Sequence, residues 1–283
     1  MKRIYTVFTL LFTLVACAQK KEKQYNSPVG YDFNRPQIIE LPDKLQEISG
    51  ISFYKGNAQT VFAEQDEEGK IFYFQPDANP LTVKESRFGK KGDYEDITVL
   101  DDLFLILRSD GTLYSFPFAP DPEPAVKGVN EWAGLLPKGE YEAMAADEQQ
   151  LYVLCKQCNI DKKGDQTSGY VFNFASGSLK QTASFTIDGR QIDKLIPLKG
   201  KSFRPSALAK NPFTKEWFIL SSVNSLLVVA DEQWQVKAAY RLNSKLFNQP
   251  EGLAFDKNRN LYISNEAGGK NGEGTIIVFQ FSN

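Results

Sequence analysis

Beyond residue 36 the apolar positions fall in short runs rich in Val, Ile, Phe and Tyr, separated by Gly, Asp and Asn turns. That pattern predicts short strands joined by tight connections. The runs recur in a fixed order. Each unit opens with an acidic or hydroxyl residue, then a small residue or Asp, then an aliphatic residue or Met: Ser49-Gly50-Ile51, Glu95-Asp96-Ile97, Glu142-Ala143-Met144, Ser206-Ala207-Leu208 and Glu251-Gly252-Leu253. The first positions are 46, 47, 64 and 45 residues apart, and the long gap holds polar insertions around 159–168 and 188–202. A second strand is predicted after each motif, at 60–63, 103–107, 151–154, 217–220 and 261–263. A third follows at 70–74, 112–116, 169–174, 226–230 and 275–281, and a weaker fourth closes the first four units at 81–87, 124–129, 179–187 and 236–242.

Strand units that repeat every 40–50 residues or so predict an all-β, five-bladed β-propeller of four-stranded antiparallel blades. Two β-sandwiches are the competing architecture, and the regular spacing favours the ring. The fifth unit has no fourth strand after it. The unassigned run Pro36-Gln37-Ile38-Ile39-Glu40-Leu41 is expected to supply it, covering an edge and closing the last blade. The propeller is therefore assigned to residues 36–283.

The first residues have a different character. Lys2 and Arg3 precede an apolar run from Ile4 to Ala16 that ends at Cys17. This has the form of a secretory signal over 1–16. A Cys directly after a small residue resembles the bacterial lipobox, in which that Cys becomes the lipid-bearing N-terminus. Residues 17–35 are polar and read as a flexible tether from lipidated Cys17. Nothing later is long and apolar enough for a second anchor. The expected location is the cell envelope, as an outer-membrane lipoprotein facing the periplasm or the exterior, and the protein is expected to be a monomer.

Composition narrows the chemistry. Lys+Arg number 33 against 35 Asp+Glu, so there is no basic excess to bind nucleic acid. The chain has no His, which removes Ser-His-Asp and Cys-His catalysis and any His-ligated metal. Cys155-Lys156-Gln157-Cys158 lacks the second Cys pair of a four-Cys zinc site and sits at a strand end, where no helix N-terminus lowers the thiol pKa. A local disulfide between Cys155 and Cys158 is the plain reading for an exported protein.

Several of these motifs together resemble the SdiA-regulated family of bacterial secreted proteins. They are Glu47-Ile48-Ser49-Gly50-Ile51, Glu64-Gln65-Asp66-Glu67-Glu68-Gly69, Tyr94-Glu95-Asp96-Ile97, and Pro250-Glu251-Gly252-Leu253-Ala254-Phe255-Asp256 with Leu261-Tyr262-Ile263-Ser264-Asn265-Glu266. The resemblance covers roughly residues 37–281 and implies a five-bladed propeller with a calcium site, distantly similar to NHL-repeat propellers, and no established biochemical role. Arg204-Pro205-Ser206 departs from the pattern, so a symmetric ring of carboxylates is incomplete.

In a propeller the first strand of each blade begins, and the second ends, at the same mouth of the central channel. Ser49, Glu95, Glu142, Ser206 and Glu251 should converge there, joined from the turns by Glu64, Asp66, Arg108, Asp110, Lys156, Asn224, Asn265 and Glu266. Carboxylates crowded in a low-dielectric channel repel, and a hard cation would relieve them. Calcium accepts six to eight or so oxygen ligands in loose geometry. Glu95, Glu142, Glu251, Ser49, Glu64, Asn265 and Glu266 are the candidate calcium ligands. The competing possibility is that these acids pair with Arg108, Lys156 and Arg204 or stay solvated. Ser49 has no His to activate it as a nucleophile.

Two functions follow. One is a lipid-anchored, calcium-binding module that presents a channel mouth to a protein or small-molecule ligand, with no catalytic residues. The alternative is a calcium-dependent hydrolase of phosphoesters or lactones, with Glu142 or Glu251 as base and Arg108 or Arg204 on the oxyanion. The lack of a nucleophile or a basic pocket places the binding module first.

Overall fold

The computed structural model describes residues 23–119, 123–161, 166–175, 177–268 and 272–282. Strand β1 (Gln37–Glu40) precedes four sequential meanders. Blade I contains β2 (Ile48–Ser52), β3 (Val61–Gln65), β4 (Lys70–Phe74) and β5 (Lys84–Arg87). Blade II contains β6 (Tyr94–Leu100), β7 (Leu103–Arg108), β8 (Leu113–Pro117) and β9 (Asn130–Trp132). Blade III contains β10 (Gly139–Asp147), β11 (Gln150–Cys158), β12 (Gln166–Ala175) and β13 (Ser178–Asp188). Blade IV contains β14 (Ala207–Lys210), β15 (Trp217–Ser221), β16 (Leu226–Ala230) and β17 (Val236–Arg241). Blade V is β18 (Gln249–Phe255), β19 (Leu261–Glu266), β20 (Thr275–Phe279) and then β1. The chain is a five-bladed β-propeller, and its last blade is closed by the N-terminal strand through pairs such as Gln37 with Val278 and Glu40 with Thr275.

The core lies between adjacent blades. Phe62 of blade I meets Phe104 of blade II at 5.0 Å, and Tyr152 of blade III meets Trp217 of blade IV at 4.5 Å. Such aromatic pairs add about 0.5–1.5 kcal/mol each beyond the area they bury. The aromatic richness of the chain therefore serves to hold wedge to wedge.

The recurring motif has a local structural cause. In four inner strands the register slips at its first position. Tyr94 faces Arg108 and Asp96 faces Leu107, which leaves Glu95 as the extra residue. Glu142 is skipped between Tyr141 and Ala143, and Glu251 between Pro250 and Gly252. Ser49 and Gly50 share the slip between Ile48 and Ile51. A β-bulge inserts one residue and re-aims its side chain. Here it turns the acidic or hydroxyl residue away from the blade interface.

The second motif position is small because it touches the next blade. A Cβ on Gly50 would come within 3.0 Å of the Asp96 and Ile97 backbone of blade II. One on Gly252 would come equally close to Ser264 and to the Ser49 carbonyl of blade I. Asp96 is the exception, and it bridges the seam instead. Its Oδ1 accepts the Ile97 N–H at 2.8 Å and its Oδ2 the Met144 N–H of blade III at 2.7 Å.

Three sequence expectations change. The fourth strand of blade II is Asn130–Trp132, not 124–129. The earlier stretch leaves its own blade and runs beside β5 of blade I, where Arg87 bridges Ala125 and the Val126 N–H reaches the Arg87 carbonyl at 2.8 Å. The expected tether is packed from Tyr25 onward. Tyr31 and Phe33 are buried against Phe218, Phe247, Phe255 and Phe279 in the seam of blades IV and V. Tyr25 is locked to Asn34 by two hydrogen bonds of 2.8 and 2.9 Å. Apolar burial by these aromatics outweighs the polar composition around them. The second insertion contains a helix, α1 (Gly189–Leu195), capped by Asp188 and docked through Ile192. The signal segment and Cys17 lie outside the described residues.

Candidate functional site

The bulged inner strands and the ends of the second strands gather acids at one mouth of the channel. Their densest part lies at the seam of blades I and V. Glu47 precedes β2, Glu64 and Asp66 lie at and just beyond the end of β3, and Asn265 and Glu266 end β19. The Ala267 N–H donates to the Gln46 carbonyl at 2.8 Å, which ties the two loops together. Carboxylate oxygens of Glu47, Asp66 and Glu266 lie within 4.8 Å of one another.

Glu64 is fully buried. Its Oε1 accepts the Gly50 N–H at 2.6 Å, and its Oε2 has no hydrogen-bond partner among the described residues. Asp66 Oδ1 and Asn265 Oδ1 are likewise buried and unpartnered, although Asn265 is only 1% exposed. Buried polar atoms in native proteins are nearly always satisfied. Three orphaned oxygens in one small region make up most of the buried unpartnered side-chain atoms of the described residues, the fourth being Tyr170 Oη.

Burial and mutual repulsion raise the carboxyl pKa values here. Burial holds Glu64 well above its ordinary range, with Asp96, Asp66 and Glu266 adding to it. Burial, then Asp93 and Glu64, push Glu95 up to about 9 against the pull of Lys156. Burial, then Glu251, Asp66 and Glu47, push Glu266 to about 8. Glu251 rises to about 7 through burial, moderated by Lys156 and by the hydroxyls of Ser222 and Ser206. Asp66 rises to about 6 through burial, then Glu47, Glu67 and Asp93.

The expected ligands divide. Glu64, Glu95, Glu251, Asn265 and Glu266 are brought to this mouth. Glu142 is there too, but Lys156 engages it in a close ion pair and also reaches Glu140 at 3.4 Å. Ser49 contributes its carbonyl, which accepts the Ser264 hydroxyl at 2.6 Å. Arg108 does not neutralise the cluster. It forks onto Asp110 at 3.0 and 2.7 Å and reaches Tyr114 at 2.7 Å. No hydrogen bond or ion pair holds the Arg204 guanidinium among the described residues, while its backbone N–H binds Asn224 Oδ1 at 3.1 Å. Cys155 and Cys158 are joined in a disulfide, which removes both thiols from metal ligation.

Glu47 and Asp66 are the acids that the repeat pattern did not single out as ligands. Both lie just outside strands, where no periodicity marks them. The Glu-Gln-Asp spacing after β3, which puts Glu64 and Asp66 on the same side of an extended chain, is the signal that could have found Asp66.

No protein-family model and no curated protein matches the chain. Solved structures do. Glutaminyl cyclase from Myxococcus xanthus is similar over 87% of this chain and 96% of its own, with a TM-score of 0.55 at 10% identity. Regucalcin, a calcium-binding protein from Agrobacterium tumefaciens, is similar over 83% and 91%, with a TM-score of 0.49 at 12% identity. Virginiamycin B lyase from Staphylococcus aureus is similar over 88% and 75%, with a TM-score of 0.43 at 11% identity. These neighbours are by name a cyclase, a calcium-binding protein and a lyase, each at 12% identity or less. At such identities the likeness is one of fold.

Proposed function

We propose that this propeller is a calcium-binding module of the cell envelope, anchored through Cys17, that presents its acidic mouth to a ligand or partner. The observation that carries the reading is the set of buried, unpartnered oxygens on Glu64, Asp66 and Asn265 beside the Glu47, Asp66 and Glu266 carboxylates. The donors are all oxygen, with no imidazole or available thiolate, which suits a hard cation in a loose coordination shell. A cation there satisfies the orphaned atoms and offsets the burial and, after it, the repulsion that raise Glu266 and Asp66. Glu47, Glu64, Asp66, Asn265 and Glu266 would hold it, with Glu95 and Glu251 beside them. Lys156 sequesters Glu142. Because the ligands come from blades I and V, the ion would pin the seam next to the closing strand. The motif resemblance to the SdiA-regulated propellers supports the same reading.

The test is calcium titration of chelator-treated protein, followed by calorimetry and by the melting midpoint. Saturable binding with a raised midpoint is expected, since a ligand selective for the native state stabilises it. No binding and no shift at millimolar calcium refutes the site. The anchor is tested separately by labelling cells with a fatty-acid analogue, where Cys17→Ala should abolish incorporation and release the protein from the membrane fraction.

A further inference from the structure

The opposite mouth of the channel has a different chemistry. The inner strands run out there around a cavity of about 470 Å³. Ile97, Met144, Leu208 and Leu253 wall it, each a buried residue of a different inner strand. At its rim stands Phe213, 43% exposed although it is a large aromatic. The size falls within the range of about 300–1,000 Å³ typical of small-molecule sites.

The charged groups of this mouth are unevenly committed. Asp256 is the one carboxylate in its lining, and it is 2% exposed and turned into its own loop. Its oxygens accept the Asn258 and Asn260 N–H groups at 2.8 Å each and Asn260 Nδ2 at 2.9 Å. Lys210 is held by Asp147 at 2.6 Å and Glu232 at 3.2 Å. Lys257 has no side-chain hydrogen bond or ion pair among the described residues. Lys55 lies 3.7 Å from Asp102 with a side chain 69% exposed, so little of its charge is neutralised.

The two lysine-bearing turns are fastened together. The Lys257 N–H donates to the Gly56 carbonyl at 2.8 Å. A Cβ on Gly56, whose φ is +69°, would sit 3.0 Å from the Lys257 nitrogen. Lys55 itself holds a left-handed φ of 49°. A conformation that β-carbon-bearing residues disfavour therefore brings two ammonium-bearing turns to one lip of the funnel, whose one lining carboxylate, Asp256, is already committed.

We propose that this mouth binds a small amphipathic carboxylate, its apolar body in the funnel against Leu208, Leu253 and Phe213 and its carboxylate between Lys55 and Lys257. The mouth at the other end of the axis offers one lysine, Lys156, already held by Glu142 and Glu140, and no matching pair of ammonium groups. The site is separate from the calcium reading and does not depend on it.

Decanoate is the probe, added to the full chain and followed by calorimetry in chelator and again in calcium. Saturable binding at one site is expected under both conditions. Decanol, which keeps the tail and loses the charge, should bind at least about tenfold more weakly, as expected for loss of a charge-assisted contact. Lys55→Gln combined with Lys257→Gln should weaken decanoate by a similar factor with an unchanged melting midpoint, because neither lysine holds the fold together. Leu208→Gln serves as an independent variant for the wall and should weaken decanoate and decanol alike. Absence of saturable decanoate binding overturns the proposal. So does equal affinity for decanol, or undiminished affinity in the folded double-lysine variant.

Discussion

Replacing Glu64 by Gln should reverse its effect on stability according to whether calcium is present. In the native protein this side chain is fully buried with one oxygen unpartnered, and burial raises its pKa well above the ordinary 4.5. Burial opposes release of its proton in the fold, while the unfolded chain releases it freely at neutral pH, so without a cation this side chain weighs against the native state. Desolvating such a group costs on the order of 1–3 kcal/mol. Gln mimics the protonated acid without that cost. In chelator at pH 7, E64Q should therefore be more stable by about 1–3 kcal/mol, a rise of about 2–12 °C for a chain of this size. At pH 5, nearer the ordinary carboxyl range, the advantage should shrink because the unfolded chain also keeps more of the proton. In calcium at a thousand times the dissociation constant the order inverts, because wild type gains about 4.1 kcal/mol and the variant has lost a ligand. Urea denaturation in chelator and in calcium at both pH values measures all four quantities. A variant that is no more stable than wild type in chelator at pH 7, or that keeps the full calcium response, refutes the argument.

Two further outcomes are expected. In chelator, wild-type stability should fall as pH rises from about 4.5 to 9, the span over which Asp66, Glu251, Glu266 and Glu95, with folded pKa values of about 6, 7, 8 and 9, lose protons. Each is raised above its unfolded value, so its contribution is complete at low pH and is lost through the folded pKa; denaturation midpoints in a pH series measure this, and saturating calcium should flatten the slope. Gly252→Ala places a methyl within 3.0 Å of the Ser49 carbonyl across the blade I–V seam and should cost at least about 1–3 kcal/mol, read as a lower urea midpoint with unchanged slope.

The ring was legible in the sequence because its inner strands share a constraint. Four of them carry a bulge residue turned to the mouth, and all five place a small residue, or the bridging Asp96, at the next position. That requirement stamps one pattern on five sites and so reveals the blade count. Outer strands carry no such stamp. β9 is three residues long and largely exposed, so its sequence Asn-Glu-Trp gives no alternation to read, and the segment 124–129 before it carries the stronger strand signal. Tyr25, Tyr31 and Phe33 stand singly among polar residues, and only their long-range contacts show them to be core. At the site, Glu95 and Glu251 followed from the repeat, and Glu64, Asn265 and Glu266 from the strand ends. Glu47 and Asp66 lie beyond the strands, and the capture of Glu142 by Lys156 depends on the bulge that brings them together across the β10–β11 pair.

The pairing of β1 with β20 also sets the order of events during biosynthesis. Blade V is assembled from strands at the two ends of the propeller, so β1, with open backbone groups, must wait for the strands of the four intervening blades and for β20. Its partner cannot be replaced by a local one, and contacts this remote in sequence form slowly. A chain stalled after blade IV would therefore carry two unmatched strand borders, β1 and the exposed flank of the last finished sheet. Such an intermediate stays open to edge pairing with other chains until β18 to β20 arrive.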